Sequence, residues 1–452
     1  MKKAFCLSIL VCFACGGSAK EYTGPDAWFC VNTNAVNDWN AAQQKKSSPT
    51  FKAWPGVVAD AQKREVRLLA EAVGHRVGIT VEFLLVGPLS DRAYETAAVT
   101  VAMPGNIARA VEFLGVKRGG GVGSRAFRFW PCGERMTASV RRLDVPDSAE
   151  RPLQSFIHDD NAAAPLFGEG GLVFTGGIWD GTGCLTDTNM PSSVLSLYNE
   201  GSSLFDVPFQ VGQSEVYGRI SLAEQLPYGA LLEIVVRPLM PADGLPRVFP
   251  LTGTASMEGD RVMMTCTDAQ GAVLKRAGLA DVLTWLHAQV AAGREPFVTI
   301  GMDDAMPLRR AVDVARVFGL LDGQGVKLDG KTDQGLFPRA FLPLEKWRER
   351  KDRNPQPFEL HITRDANGTL KKKLIFIEED WTVEGLDPKL TPRDYPFESW
   401  DEFAPLVEKV GGADSKVHLL FVYAPADLPL STFMPGVRDV SKRLFLVYVF
   451  GD

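Results

Sequence analysis

The stretch "PFVTIGMDDAMPLRRAVDVARVF", residues 296–318, decides the fold of the second half of the chain. An apolar, β-branched run meets two adjacent aspartates and a proline, and an amphipathic helical pattern follows. This order predicts a buried strand, a corner and a helix. Asp303 and Asp304 are either a carboxylate pair for acid–base or metal chemistry, or ordinary residues of a helix start, where the macrodipole favours acids. We favour the helix start, because a second copy of the corner has a single acid, Asp427.

The pattern around this corner occurs twice. Two turn-like segments resemble each other, "CTDAQGAVL" at residues 266–274 and "TRDANGTLK" at residues 363–371. Each predicts a β-hairpin, because Asn-Gly and similar pairs tolerate the positive φ of a tight turn. An amphipathic helix and an apolar strand follow each turn. We therefore predict an internal duplication of a βαβαβ-type unit at residues 247–330 and 357–452, with an insert in the second copy at residues 378–397.

This unit resembles the periplasmic domain of the ExbD/TolR family, in which an Asp and a Val-Pro pair lie between the central strand and the second helix. We align Pro307 with Pro429 and Leu308 with Leu430. That family's module dimerises and contacts other envelope components, so the resemblance implies partner contacts and a homodimer through exposed leucines. The residues concerned are Asp304, Pro307, Leu308, Asp427, Pro429 and Leu430. Family members also carry a transmembrane helix with a proton-path aspartate, which this sequence lacks, so only the soluble module is expected here.

The first half of the chain is rich in strand patterns. "REVRLLAEAV", "ITVEFLLVG" and "AYETAAVTVAMP" predict strands, and "NIARAVEFLGV" predicts a helix with Asn106 as its N-cap and Gly115 at its end. This order resembles the YdjY domain of bacterial envelope proteins, with Tyr94 and Glu95 at matching positions, and the likeness extends over residues 54–240. The family has no established chemistry, so the resemblance implies a domain without a mechanism. The predicted fold is α+β and multi-domain, a β-rich domain followed by the two modules.

The N-terminus predicts export. "MKKAFCLSILVCFACGGSAK" has two lysines, a short apolar run and small residues, which is typical of a signal peptide, here residues 1–19. Cleavage after Ala19 and acylation of Cys15 are the two alternatives. Acylation would make the protein a lipoprotein, and the lipid would be its only membrane anchor. We interpret residues 20–53 and 331–356 as linkers, and we expect the periplasm or the outer membrane as location.

Four cysteines remain after such processing, and they are too few for a disulfide scaffold. Cys132 and Cys184 fall in one predicted domain and are the best candidates for a disulfide. Neither CxxC nor paired histidine spacing supports a zinc site, and there are five histidines in all. The cluster His158-Asp159-Asp160 is interpreted as a loop rather than a metal site. The Gly-rich "RGGGVGS", residues 118–124, lacks the Lys-Ser/Thr of a phosphate loop and predicts a flexible turn.

Net charge and missing motifs argue against two classes of function, nucleic-acid binding and catalysis. The net charge of −6 and the absence of a basic cluster with interleaved aromatic residues argue against a nucleic-acid binder. The sequence contains neither a GxSxG elbow nor an HExxH helix, so we expect no catalytic residues, metal or cofactor. The expected function is binding or scaffolding in a bacterial cell envelope, with envelope proteins or peptidoglycan as partners. The alternative is a hydrolase acting on a cell-wall polymer, which a buried polar cleft with perturbed carboxylates would favour.

Overall fold

The computed structural model describes residues 30–123, 128–161, 171–188, 192–239, 247–322, 324–329, 341–343, 358–380, 389–411, 419–444 and 446–451. The chain divides into two compact units: unit 1 holds residues 1–122 and 130–245, and unit 2 holds residues 123–129 and 246–452. Both mix helices with several β-sheets, so the predicted class is confirmed in outline. The predicted signal peptide and Cys15 lie outside the described residues.

Unit 1 is dominated by one large sheet. Its strands are β1 (Phe51–Trp54), β2 (Val57–Asp60), β3 (Glu65–Ala72), β4 (Phe83–Val86), β5 (Thr96–Thr100), β6 (Arg135–Arg142), β7 (Arg151–Pro152), β9 (Leu172–Phe174), β12 (Ser193–Ser196), β13 (Phe205–Asp206) and β15 (Leu231–Pro238). The order β3-β15-β6-β9-β13-β12-β4-β5 returns to β3, so the sheet closes into a barrel-like ring. Four shorter strands pair outside it, namely β8 (Ile157–Asp159) with β14 (Ile220–Leu222) and β10 (Trp179–Asp180) with β11 (Gly183–Cys184).

In the part of unit 1 that the structure describes, three α-helices accompany this sheet: α1 (Thr33–Gln44), α2 (Pro104–Phe113) and α3 (Gln213–Val216). Helix α2 buries Ile107, Ala110 and Val111 in the core of unit 1, as its apolar periodicity predicts. Its N-cap is Met103 rather than the predicted Asn106, because Pro104 takes the first helical position, where a missing N–H costs nothing. Gly115 follows the helix with φ of 83°, as predicted.

The predicted linker at residues 20–53 is wrong for the part that the structure describes. Helix α1 and strand β1 lie in this range, and Val36 of α1 is buried against Leu69 and Leu231. The buried carboxylate of Glu71 accepts hydrogen bonds from the backbone N–H groups of Val31 (3.0 Å) and Asn32 (2.7 Å). The polar segment before α1 is therefore held by a carboxylate that is distant in sequence, and the local sequence pattern does not reveal such a contact.

Unit 2 contains two sheets that share one order of five strands, and the second sheet has a sixth strand at its edge. The first holds β16 (Val248–Glu258), β17 (Arg261–Thr267), β18 (Val273–Gly278), β19 (Glu295–Met302) and β20 (Lys327–Leu328). The second holds β21 (Phe341–Pro343), β22 (Phe358–Arg364), β23 (Leu370–Asp380), β24 (Lys389–Phe397), β25 (Leu419–Ala424) and β26 (Leu446–Gly451). The orders are β18-β17-β16-β19-β20 and β24-β23-β22-β25-β26-β21. We call the two sets of five strands with their helices module 1 and module 2. Strand β21 pairs with β26, is not counted in module 2, and lies within the predicted linker at residues 331–356.

The predicted alignment of the two hairpins is wrong. The turn after residue 267 joins the second and third strands of module 1, whereas the turn after residue 364 joins the first and second strands of module 2. Both turns use the same chemistry, since Asp268 and Asp365 each accept two backbone N–H hydrogen bonds within the turn. The supposed insert at residues 378–397 contains β24, which corresponds to β18 as the third strand of its module.

The α-helices in the described residues of unit 2 are α4 (Leu279–Ala291) and α5 (Leu308–Leu321) in module 1, and α6 (Phe403–Gly411) and α7 (Met434–Ser441) in module 2. Each module therefore has three strands, a helix, a strand, a helix and a strand in chain order. One continuous cluster of buried apolar side chains includes residues of all four helices and both sheets. No helix in the described ranges is long and apolar enough to span a membrane.

Candidate functional site

The corner that the sequence singled out is built alike in both modules. After strand β19 the chain turns at Asp303–Met306 and enters α5 through Pro307, and after β25 it reaches Pro429 by the same path. Both prolines have φ of −62° and ψ of 142° and stand immediately before a helical turn. A fixed φ near this value is what a proline imposes, so the sequence sets this geometry twice.

The two corners lie against each other. Pro307 and Pro429 form an antiparallel backbone bridge. Four hydrogen bonds surround it, and exchanging the two modules converts each bond into another of the set. With the donor first they are Leu308 N to Leu428 O (2.9 Å), Leu430 N to Met306 O (3.0 Å), Arg309 N to Ala426 O (2.8 Å) and Ser431 N to Asp304 O (2.6 Å). The aligned prolines therefore mark a local twofold axis that relates the two modules.

Leu308 and Leu430 are both fully buried, so the prediction that they are exposed to an outside partner is wrong. Their side chains belong to the apolar cluster that the two modules share. The partner of each corner is the other module of the same chain. Pro307 and Pro429 are half-buried at this interface, while Asp427 remains exposed and pairs with Arg364 of its own module at 3.0 Å.

Asp303 and Asp304 do not lie in the first turn of α5, which contains no acid, so their predicted role at the helix start is wrong. Asp303 accepts a hydrogen bond from the backbone N–H of Ala305 at 2.8 Å and closes the turn before Pro307. Asp304 instead accepts a hydrogen bond from Arg438 of α7 in module 2. The two carboxylates thus have different structural partners.

Sequence reasoning missed a second constellation, in unit 1. Parallel pairing of β4 with β5 brings Glu82 and Glu95, which precede the two strands, close together, and Glu82 N donates to Glu95 O at 2.9 Å. Both side chains are buried, with 2% and 8% exposure. Tyr94 and Tyr217, which lie beside them, are about half exposed (47% and 56%). Glu82 and Glu95 both lie in segments whose sequence predicts strands, but only the topology of the sheet brings the two segments together.

The donors around these carboxylates come from other segments. Gln213 Nε2 lies 2.9 Å from both carboxylate oxygens of Glu82, and Tyr217 donates its hydroxyl hydrogen to the same group. This bond raises the pKa of Tyr217 to about 12. Arg92 donates to Glu95 at 2.6 Å. Burial nevertheless raises the pKa of Glu95, and the neighbouring charge of Glu82 adds to the effect.

Two further acids lie near Tyr198 in sequence, the buried Asp206 and the half-buried Glu200. Asp206 is fully buried, accepts hydrogen bonds from Asn199 and the Val207 N–H, and has its Oδ2 without a hydrogen-bond partner. Burial raises the pKa of Asp206 well above its ordinary value. Burial also raises the pKa of Glu200, and the pKa of Tyr198 is raised by burial and by the charges of Glu200 and Glu82. Unit 1 thus contains several carboxyl groups for which burial favours the neutral form.

The other sequence candidates have ordinary structural roles. Asp159 ends strand β8 and pairs with Arg219 at 2.8 Å, so the His158 cluster is not simply a loop. Cys132 and Cys184 are not bonded to each other, which contradicts the predicted disulfide, and burial raises the pKa of the Cys184 thiol. Within the described ranges, no group of three or more His, Cys, Asp or Glu side chains is arranged to hold a metal ion.

Comparisons with known proteins add little to this description. No family model matches the chain, and no curated protein matches it. A foamy viral protease–reverse transcriptase in complex with an RNA/DNA hybrid is similar over 44% of this chain and 36% of that chain, with 8% identity and a TM-score of 0.13. A Prototype Foamy Virus protease–reverse transcriptase mutant is similar over 45% of this chain and 36% of that chain, with 7% identity and a TM-score of 0.14. Likenesses at such TM-scores carry no argument.

Proposed function

We propose that this protein is a non-catalytic binding or scaffolding component of a bacterial cell envelope. In this proposal unit 1 is a YdjY-like domain, and unit 2 is a tandem of ExbD/TolR-like modules that works as a dimer within one chain. Export depends on the N-terminal signal pattern and is part of the proposal. The partners are envelope proteins or peptidoglycan.

One observation carries this proposal, the reciprocal contact of Pro307 with Pro429 between two modules of equal strand order. The ExbD/TolR resemblance implies a module that dimerises, and a tandem pair meeting at equivalent corners is its single-chain counterpart. The two acids at the corner favour a binding protein over an enzyme, because both have structural roles: Asp303 closes a turn and Asp304 pairs with Arg438.

Photo-crosslinking in the producing cells tests the proposal. A photoreactive residue would replace Leu320 of unit 2 or, in a separate variant, Val77 of unit 1, because both side chains are exposed (66% and 59%). We expect a discrete adduct with an envelope component from at least one position, in envelope material. Recovery of the chain in the cytoplasm, without adducts from either position, would contradict the proposal.

A hydrolase acting on a cell-wall polymer is the second candidate, and the Glu82–Glu95 pair favours it. A buried carboxyl with a raised pKa, beside a second carboxylate, is an arrangement suited to proton donation. In this candidate Glu95 would donate the proton. Purified protein would then release soluble fragments from cell-wall sacculi, and Glu95→Gln would abolish the release. Equal release by protein and buffer would dismiss this candidate.

A further inference from the structure

The outer edge of module 1 is an open strand. Strand β18 pairs with β17 along one side, and no strand of the described ranges pairs with its other side. Half of its six residues are exposed, including Val273 (62%) and Leu274 (38%), and the other three are half-buried. An edge strand presents unpaired backbone N–H and C=O groups, which can accept another strand.

The equivalent edge of module 2 is closed. Strand β24 contains Pro392 and Pro396, which lie opposite Ile377 and Lys373 of β23. Backbone N–H positions alternate between the two sides of a strand, so two prolines four residues apart remove donors from the same side. Prolines are tolerated in an edge strand where that side faces solvent. The twofold relation of the modules therefore provides one edge that can accept a strand and one that resists it.

Charge decides what can bind the open edge. Strand β18 contains Lys275 and Arg276 and no acidic residue. Arg276 pairs with Glu258 of β16, but both side chains are at least half exposed, so this ion pair contributes little and an incoming acid can replace Glu258. Antiparallel pairing of two copies along the whole strand would place the Lys275 and Arg276 side chains of the two copies opposite each other. Like charges directly opposite each other in a sheet are destabilising. A second copy is therefore a poor occupant, whereas a strand with acidic side chains complements the edge.

We propose that β18 is a docking edge, and that its occupant is an extended acidic segment of a partner protein, which adds to module 1 as a further strand. Backbone hydrogen bonds would supply affinity, Val273 and Leu274 would supply apolar contact, and Lys275 and Arg276 would select acidic side chains. This inference rests on the proposed binding function and specifies the chemistry of one partner. It predicts that each chain binds a single strand of this kind.

Binding of synthetic peptides to the full-length chain tests the proposal. The probes are two capped, fluorescent hexapeptides, one alternating Glu with Val and the other alternating Lys with Val, followed by fluorescence anisotropy. We expect the Glu peptide to bind and the Lys peptide not to bind. The variant K275E/R276E should weaken binding of the Glu peptide by about tenfold or more, and it should gain affinity for the Lys peptide.

The matched control is K389E/R393E, which reverses two charges on the closed edge of module 2 and should leave binding unchanged. Equal binding of the two peptides, no binding of the Glu peptide, or an equal effect of the control variant would each overturn the proposal. If K275E/R276E does not fold, the difference in affinity of the unaltered chain for the Glu peptide and the Lys peptide decides whether the proposal holds. Crosslinks from Leu320 or Val77 with no peptide binding would reject the docking edge and leave the proposed function standing.

Discussion

Asp304 accepts a hydrogen bond from Arg438 across the paired corners, whereas the twofold-equivalent positions hold Ala426 and Arg316. The backbone contacts of the corner obey the twofold relation, but this ion pair occurs on one side only. Arg316 is exposed on α5, and it has no ion pair of this kind because Ala426 stands at the position equivalent to Asp304. The asymmetry gives a direct way to test the relation between the modules.

Substituting Ala426→Asp should create the missing ion pair with Arg316. We expect a gain of about 0.2–1 kcal/mol in the free energy of unfolding at low salt, the usual range for an exposed pair. Denaturant unfolding at low and high ionic strength measures this gain, which should shrink as salt is added. The double variant A426D/R316A should lose it. A gain that persists without Arg316 would contradict the twofold relation.

Substituting Leu308→Ala or Leu430→Ala should destabilise unit 2 strongly, by about 2–5 kcal/mol each, because both leucines are fully buried. The twofold relation predicts similar costs for the two. Leu320→Ala, on the same helix as Leu308 but 66% exposed, is the matched control and should change stability by less than about 0.5 kcal/mol. Equal melting temperatures for L308A and L320A would show that the corner is not packed as described.

Unit 1 should be more stable at mildly acidic pH than at neutral pH. Burial raises the pKa of Glu95, Glu200 and Asp206, so their neutral forms are favoured in the folded state. Their stabilising contribution is complete below the unfolded pKa, near 4, and is lost as the pH rises through the folded values. Melting curves at pH 5.5 and 7.5 test this.

Asp206→Asn serves as the control for this pH dependence, because it removes the titrating group with little change of volume. The difference in melting temperature between the two pH values should decrease in D206N. His75 opposes this effect, because burial lowers the pKa of its imidazole and the folded state favours its neutral form. Glu150, whose pKa the bond from Arg237 lowers, contributes equally at both pH values, since its contribution changes only below the ordinary pKa of a glutamate. Higher stability at pH 7.5 than at pH 5.5 in the unaltered chain would contradict the account of these buried acids.

Substituting Glu71→Ala should release the N-terminal segment from unit 1. The backbone N–H groups of Val31 and Asn32 would lose their acceptor, at a cost of about 1–3 kcal/mol for buried donors. Burial and the charge of Glu71 raise the pKa of the Cys30 thiol to about 12, so its alkylation at pH 8 should be slow. E71A should accelerate alkylation, and E71Q, which keeps an acceptor oxygen, should do so less. Equal rates would argue against this anchor.

Local elements were predictable from the sequence where local forces determine them. The apolar stripes of α4 and α5, the apolar run of β19 and the Pro-Leu corner follow from periodicity and from proline geometry. Alignment of the hairpins failed because an Asp followed by a glycine turn has the same chemistry wherever it occurs. The turn does not encode which pair of strands it joins, so the third strand of module 2 was mistaken for an insert.

The environment of individual residues was less predictable. The sequence pattern of a leucine after a proline is the same whether the side chain contacts another molecule or another part of its own chain. Leu308 is buried within its own chain. Glu82 and Glu95 are separated by a strand and a turn, and only the parallel pairing of β4 with β5 brings them together. Such long-range contacts carry no short-range signal, so the candidate site in unit 1 emerged from the topology alone.

The meeting of Pro307 with Pro429 has a consequence for assembly. Two modules joined by one chain face each other at an effective concentration that dilution does not change, unlike separate subunits. Their stoichiometry is fixed at synthesis, and each half can acquire substitutions that its counterpart lacks. A homodimer must carry every change twice, at both of its equivalent surfaces. The prolines of β24 and the open edge of β18 show such divergence, so this fold can retain a paired architecture while presenting two different faces.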